Sequence, residues 1–311
     1  MFEFGILSCL LIAFGIGSND SSNALAICTG SGIISLKKAI FLFGILVFLG
    51  IMLNGNKIIQ TVGKDLIFLK GSIITVSLII SATLIILSNL KKMPLSTHQV
   101  IIGSLIGSGL AVNAKIDFLI LFKIILSWLV SPFFAGFFSF FIYKILEKFI
   151  SRLSFFQIEN ILRTSLLLSA GLISYNTGAN ELATVLAPIV NYSNINKIFL
   201  YFISTLSLFL GAFFLSHRVI NTVGKGITAL DPYSGFCAQF GAGICVLFFT
   251  LLGMPISTTY CIIGSISGVG LTKGLKTIKI SLLKKIIFNW VISPSIAFLI
   301  SYLLTLFSFS A

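Results

Sequence analysis

The chain has 311 residues, 57% of them hydrophobic and 9% charged, with a mean hydropathy of +1.11 and a formal net charge of +13. Soluble domains carry roughly 25% charged residues, so a soluble fold is excluded. The positive charge sits in short loops between apolar runs and forms no basic face interleaved with aromatics, so it does not indicate a nucleic-acid partner. In chain order, the first apolar segment lacks a basic leader and has Glu3 near its start, which predicts a retained segment rather than a cleaved signal. It holds the polar stretch Gly17-Ser18-Asn19-Asp20-Ser21-Ser22-Asn23-Ala24. Apolar runs follow at 40–53 and 67–90, then Pro94-Leu95-Ser96-Thr97-His98 and a glycine-rich segment, then the run 118–143. A short connection at 144–163 leads to a second polar stretch, Gly178-Ala179-Asn180-Glu181-Leu182-Ala183-Thr184-Val185. Runs at 198–215 and 236–252 precede Pro255-Ile256-Ser257-Thr258-Thr259, and the run 286–307 ends the series.

Several of these runs reach the ~20 residues that cross ~30 Å of hydrocarbon as a helix. Lipid leaves only helices or closed barrels as spanning structures, and continuous apolar runs without two-residue alternation exclude the barrel. The expectation is an all-α polytopic protein of about ten membrane segments. Of the 21 Lys and Arg, fifteen fall in odd-numbered loops, among them Lys37, Lys38, Lys144, Lys148 and Lys273. The positive-inside rule then predicts a multi-pass protein of the cell membrane with both termini outside. The five cysteines lie in apolar segments without metal-type spacing and read as small core residues.

A shift of 161 residues lays the second half on the first. Gly17 falls on Gly178, Asn19 on Asn180, and Phe48-Leu49-Gly50 on Phe209-Leu210-Gly211. Thr61-Val62-Gly63-Lys64 falls on Thr222-Val223-Gly224-Lys225, and Met93-Pro94 and Ser96-Thr97 on Met254-Pro255 and Ser257-Thr258. Shared apolar composition would not align Gly, Pro, Asn, Ser, Thr and Lys without a gap. The chain is therefore read as two repeats, 1–150 and 151–311, of about five membrane segments each, forming one transmembrane domain. An odd number of segments inverts the second copy. Inverted repeats are the architecture of secondary transporters, whose sites lie near the midplane on interrupted or re-entrant helices.

Of eight acids, Asp20 and Glu181 stand inside otherwise uncharged stretches at equivalent positions. A charge at mid-membrane costs ~2.5–3.5 kcal/mol on insertion scales, which marks both as functional. The alternative is a helix-end carboxylate reaching water. Gly, Asn and Ser at the head of each stretch predict a helix break, whose carbonyls, with Asn and acidic side chains, supply oxygen ligands for a hard cation. Asn19 and Asn23, or Asn180 and Thr184, are four apart and share a helix face. The Pro-x-Ser-Thr segments place hydroxyls beside free amides at helix starts, a donor-rich anion site. The bland alternative is a kinked helix whose hydroxyls bond their own backbone. The glycines that follow are read as packing residues, which permit a homodimer but equally serve contacts within one chain.

The paired Asn-Asp/Asn-Glu and Pro-x-Ser-Thr motifs, with Trp128-Leu129-Val130-Ser131-Pro132, resemble the inorganic phosphate transporter (PiT) family over about 14–135 and 175–295. The resemblance implies a cation-coupled symporter and not an enzyme, with no cofactor beyond a coupling Na⁺ or H⁺. Asn19, Asp20, Asn23, Asn180, Glu181 and Thr184 would bind cation and phosphate, with Na⁺ at Asn19, Asp20, Asn180 and Glu181. Ser96, Thr97, Ser257, Thr258 and Thr259 would face phosphate. Glu181 departs from the family's Asp and Thr184 from its second Asn. His98 stands one position before the family's usual His, where Gln99 and Tyr260 are found, and it reads as a hydrogen-bonded structural residue. Inorganic phosphate, the coupling cation and the lipid bilayer are the expected partners. A sulfate permease of the same fold is the nearest rival. A passive anion channel fits less well, because two buried carboxylates would repel the permeant ion. An intramembrane enzyme fits least, because no nucleophile–base–orienter set accompanies the acids.

Overall fold

The structure, a computed structural model, describes residues 2–90, 96–150, 154–192, 195–227, 231–274 and 280–309. Pro94, at the head of the first hydroxyl motif, lies outside them, as do Lys91 and Lys92. The first half forms α1 (Phe2–Gly30), α2 (Leu36–Gln60) continued by a π-helical turn Thr61–Asp65, α3 (Gly71–Leu90), α4 (Thr97–Ala111) and α5 (Phe118–Ile150). The second forms α6 (Phe155–Asn176), a π-helical turn Thr177–Leu182, α7 (Ala183–Val190), α8 (Lys197–Ile227), α9 (Pro232–Leu251), α10 (Thr258–Lys273) and α11 (Ile280–Phe309). Seven helices among the described residues are long and apolar enough to cross a membrane. Phe68, Phe133 and Phe307 stand on the outer surface at 70% exposure or more, where only lipid makes burial unnecessary. The chain is a multi-pass membrane protein.

α4 and α10, of 15 and 16 residues, fall short of the membrane at 1.5 Å per residue. Each is the return limb of a re-entrant hairpin. In the first half, an antiparallel bridge between Ile67 and Ile116 ties the start of α3 to the end of α4. In the second, Lys273 at the end of α10 pairs with Asp231 at the start of α9 at 2.5 Å. Asp231 also caps α9, accepting from the Ser234 amide at 2.8 Å. Burial raises the Asp231 carboxyl, but Lys273 and Ser234 outweigh it and hold the group below the usual carboxylate range. The far ends of both hairpins reach the interior, where Asn89 of α3 meets Asn19 and Thr250 of α9 meets Asn180.

The two halves interleave through glycine. A methyl group on Gly17 would fall on the Leu208 carbonyl of α8, and one on Gly211 of α8 on the Phe14 carbonyl of α1. The equivalents match: Gly178 meets the Val47 carbonyl of α2, and Gly50 meets the Tyr175 carbonyl of α6. The glycines after the hydroxyl motifs behave likewise, Gly103 and Gly107 packing on Pro294 and Phe298 of α11, Gly264 and Gly268 on Pro132 and Gly136 of α5. Each short helix thus rests on the last helix of the opposite half, and the expected packing role of these glycines holds.

One expectation needs correcting. The polar stretch around Asp20 does not break its helix, for α1 runs through it unbroken from Phe2 to Gly30. Gly17 is there for a close crossing, and unpaired amides in an apolar interior would cost several kcal/mol each, so low helix propensity is overridden. Ser18 and Ser22 return hydroxyls to the carbonyls of Gly15 and Asn19 at 2.7 and 2.5 Å. The second stretch is interrupted, but as the π-helical turn Thr177–Leu182 rather than an open break.

Candidate functional site

The equivalent carboxylates meet. Asp20 of α1 and Glu181 of the second π-helical turn are in direct contact, with Thr258, the first residue of α10, beside Glu181. Asp20 Oδ1 accepts from Asn23 Nδ2 at 3.1 Å and from Thr259 Oγ1 at 3.4 Å. Asn23 Nδ2 also reaches Thr259 Oγ1 at 3.0 Å. Asp20 and Asn23 are half-buried, whereas Glu181 is 3% exposed, so what exposure the pair has lies on the Asp20 side. Glu181 Oε2 and Thr258 Oγ1 are buried without a hydrogen-bond partner among the described residues. No Lys or Arg among them bonds to either acid. Two carboxylates in contact away from water require a cation or a proton between them. Oxygen donors throughout suit a hard ion.

Asn180 has a different task from its mate Asn19. Its Nδ2 donates to Thr250 Oγ1 at 2.8 Å and to the Met254 carbonyl at 3.1 Å. Its Oδ1 accepts from the Ile256 amide at 3.1 Å and meets His98 Nε2 at 2.8 Å. The Met254 oxygen can only accept and the Ile256 amide can only donate, so the amide orientation is fixed and His98 must carry its proton on Nε2. Asn180 is thereby a structural hub joining the π-helical turn to both hairpins, and His98 a donor to it. A leucine at His98 leaves an acceptor of Asn180 short inside the core. His98→Leu should therefore lower unfolding stability by about 1–3 kcal/mol, read by thermal unfolding in detergent, while His98→Gln, which keeps a donor, should recover most of it. Equal losses in both would assign the effect to packing.

The remaining predicted residues divide. Asn19 and Asn23 share a helix but not a partner, because Asn19 Nδ2 turns to Asn89 Oδ1 at 2.6 Å. Thr184 returns its hydroxyl to the Asn180 carbonyl at 2.7 Å, so it is engaged by its own helix. Ser96 and Ser257 are the N-caps of α4 and α10, in extended backbone, and neither hydroxyl caps its helix. Ser96 Oγ is buried with no partner among the described residues, and Thr97 is half-buried next to it. Among the described residues, neither Ser96 nor Ser257 bonds back to its own helix. Asn89 and Thr250 escaped the sequence reading, although each is a polar residue near the end of an apolar run and they coincide at the repeat offset.

The family model described as phosphate transporter family matches residues 16–301. A protein of Methanocaldococcus jannaschii, provisionally named a phosphate permease, is 38% identical over 94% of this chain and 93% of its own length. The sulfate permease CysP of Bacillus subtilis is 30% identical over 96% of this chain and 86% of its own. A solved structure of a sodium-dependent phosphate transporter superposes with a TM-score of 0.85 at 23% identity, covering 99% of this chain and 98% of that one.

Proposed function

This chain belongs to the phosphate transporter family, a family of transporters rather than enzymes, and from that footing we propose that it imports inorganic phosphate by symport with Na⁺. The observation that carries the reading is the contact of Asp20 with Glu181 at the junction of the two halves, beside neutral hydroxyl and amide donors. The acids hold the cation, and the cation offsets the charge of the anion, so neither ion is favourable there alone. Thr258, Thr259, Ser96, Thr97 and Ser257 offer hydroxyls to phosphate at the starts of α10 and α4. Asn19 and Asn23 complete the cation's oxygen shell, while Asn180 and Thr184 hold the π-helical turn in place. The repeats 1–150 and 151–311 act as one transmembrane domain in the cell membrane with both termini outside, and Asp20 is reached from one face at a time.

Sulfate is the second reading, favoured by the 30% identity to a sulfate permease. Phosphate near neutral pH retains a proton that it can donate to Asp20 or Glu181, and sulfate has none, so the acid pair supports phosphate. Proteoliposomes holding the purified protein separate the readings. Radiolabelled phosphate should accumulate under an inward Na⁺ gradient and resist excess unlabelled sulfate. Accumulation under a proton gradient alone would replace Na⁺ by H⁺, and uptake of sulfate in place of phosphate would overturn the substrate.

A further inference from the structure

We propose that Gln239 is a positioning residue for Asn23, clamping the binding turn of α1 to the second re-entrant hairpin and so setting the affinity of the carboxylate site for its cation and anion; the proposal rests on the transport reading above. Gln239 lies on α9 and is 1% exposed. Its Nε2 donates to two backbone carbonyls of α1, Asn23 at 3.0 Å and Ala24 at 2.7 Å. Its Oε1 accepts from Ser169 Oγ of α6 at 2.8 Å. Carbonyls can only accept, so the amide orientation is fixed, with both Nε2 hydrogens on α1 and the Oε1 oxygen on Ser169.

The clamp acts where the chemistry is. Mid-helix carbonyls have a second lone pair beyond the one used by the helical ladder, and Gln239 takes it at two consecutive residues. That fixes the rotation and height of α1 at the turn whose Asn23 side chain links Asp20 to Thr259. Gln239 and Asn23 also share the wall of a pocket between α1, α9 and α10, with Ser22, Ala26 and Ile266.

The device exists in one half only. The repeat-equivalent of Gln239 is Leu78, fully buried, and the carbonyl equivalent to that of Ala24, on Val185, is met by the Cys9 thiol at 3.4 Å, the one side-chain donor it has among the described residues. The first hairpin therefore tolerates leucine at the matching place in the same architecture, which makes Gln239→Leu a fair substitution.

The test reads Na⁺ affinity by titration calorimetry on purified protein, and the KM and Vmax of phosphate uptake in proteoliposomes. Gln239→Leu should weaken Na⁺ binding and raise KM by about ten-fold, the scale of one or two lost hydrogen bonds, with Vmax nearly retained. In a double-mutant cycle, Gln239→Leu added to Asn23→Ala should cost far less than it does alone, because the clamp acts through Asn23. Gln239→Glu can donate only when protonated, so the ratio of its KM to that of the wild type should fall as pH falls. Ser169→Ala should move the same parameters less, and with Gln239→Glu it carries the test should Gln239→Leu fail to fold. Unchanged affinities, or losses fully additive with Asn23→Ala, would overturn the proposal. A wild type that binds Na⁺ but carries no phosphate would overturn the transport reading and leave the Na⁺ titrations to judge the clamp.

Discussion

Asp20→Asn should lower Na⁺-driven phosphate uptake by about 100-fold or more, equivalent to some 2.7 kcal/mol of lost stabilisation, without impairing assembly. The substitution keeps the size and hydrogen-bonding reach of the side chain, so Thr259 and Asn23 retain a partner at that oxygen. It removes one of the two charges that make a cation favourable between α1 and the second π-helical turn. A thermal-shift measurement separates this from misfolding. A ligand that binds only the folded state stabilises it in proportion to the logarithm of its concentration over its dissociation constant. NaCl should thus raise the melting temperature of the wild type above that in choline chloride, and should not do so for Asp20→Asn. Without Na⁺ the variant should melt higher than the wild type, because one member of a like-charged buried pair has been neutralised. Glu181→Asp should give an intermediate loss, since a carboxylate shorter by one methylene withdraws from Asp20 and Thr258. Gradient-driven uptake within a few-fold of wild type in Asp20→Asn would remove the carboxylate pair from the transport mechanism.

The repeat was legible because it resides in residue identity, and the structure uses the same offset in its contacts. Asn19 with Asn89 and Asn180 with Thr250 are equivalent pairs, as are the crossings of Gly17 on Leu208 and of Gly178 on Val47. The pairing of Asp20 with Glu181 was legible too, because a charge inside an apolar run is conspicuous and two at one offset must converge if the halves do. What stayed hidden depends on partner choice across large sequence separations. The bonds from His98 to Asn180 and from Gln239 to Asn23 join residues 82 and 216 apart, and no local pattern specifies either. The unbroken α1 was missed for another reason. Helix propensities are measured in water, where a broken helix is rescued by solvent, whereas the interior around Gly17 offers no such rescue. About ten segments were expected, and the apolar run 67–90 gave no sign that its helix leads into the short α4.

The largest structural effect should come from the glycine crossings. In Gly178→Ala, the added methyl would occupy the position of the Val47 carbonyl, meeting its oxygen, its carbon and the Val47 Cα. These are backbone atoms, so no rotamer change relieves the overlap and α2 must move away from the π-helical turn. Overpacking of this kind costs about 1–3 kcal/mol or more, and here it displaces the segment that carries both Asn180 and Glu181. Gly171→Ala, two turns earlier in α6, is the matched control: its methyl would meet only Leu46 Cδ1 at 3.5 Å, an ordinary contact. Thermal unfolding should place Gly171→Ala at or slightly above the wild type, while Gly178→Ala falls well below it and loses uptake. Gly17→Ala should reproduce the Gly178→Ala result, because its methyl would meet the Leu208 carbonyl in the equivalent crossing of α1 with α8. Agreement between those two would show that the halves depend equally on backbone-to-backbone contact at the binding depth. A large loss in only one would mean that a single crossing carries the assembly while the other yields. If Gly178→Ala instead melted with Gly171→Ala, the crossing would be loose enough to admit a methyl group, and close helix contact would not be what holds Glu181 against Asp20.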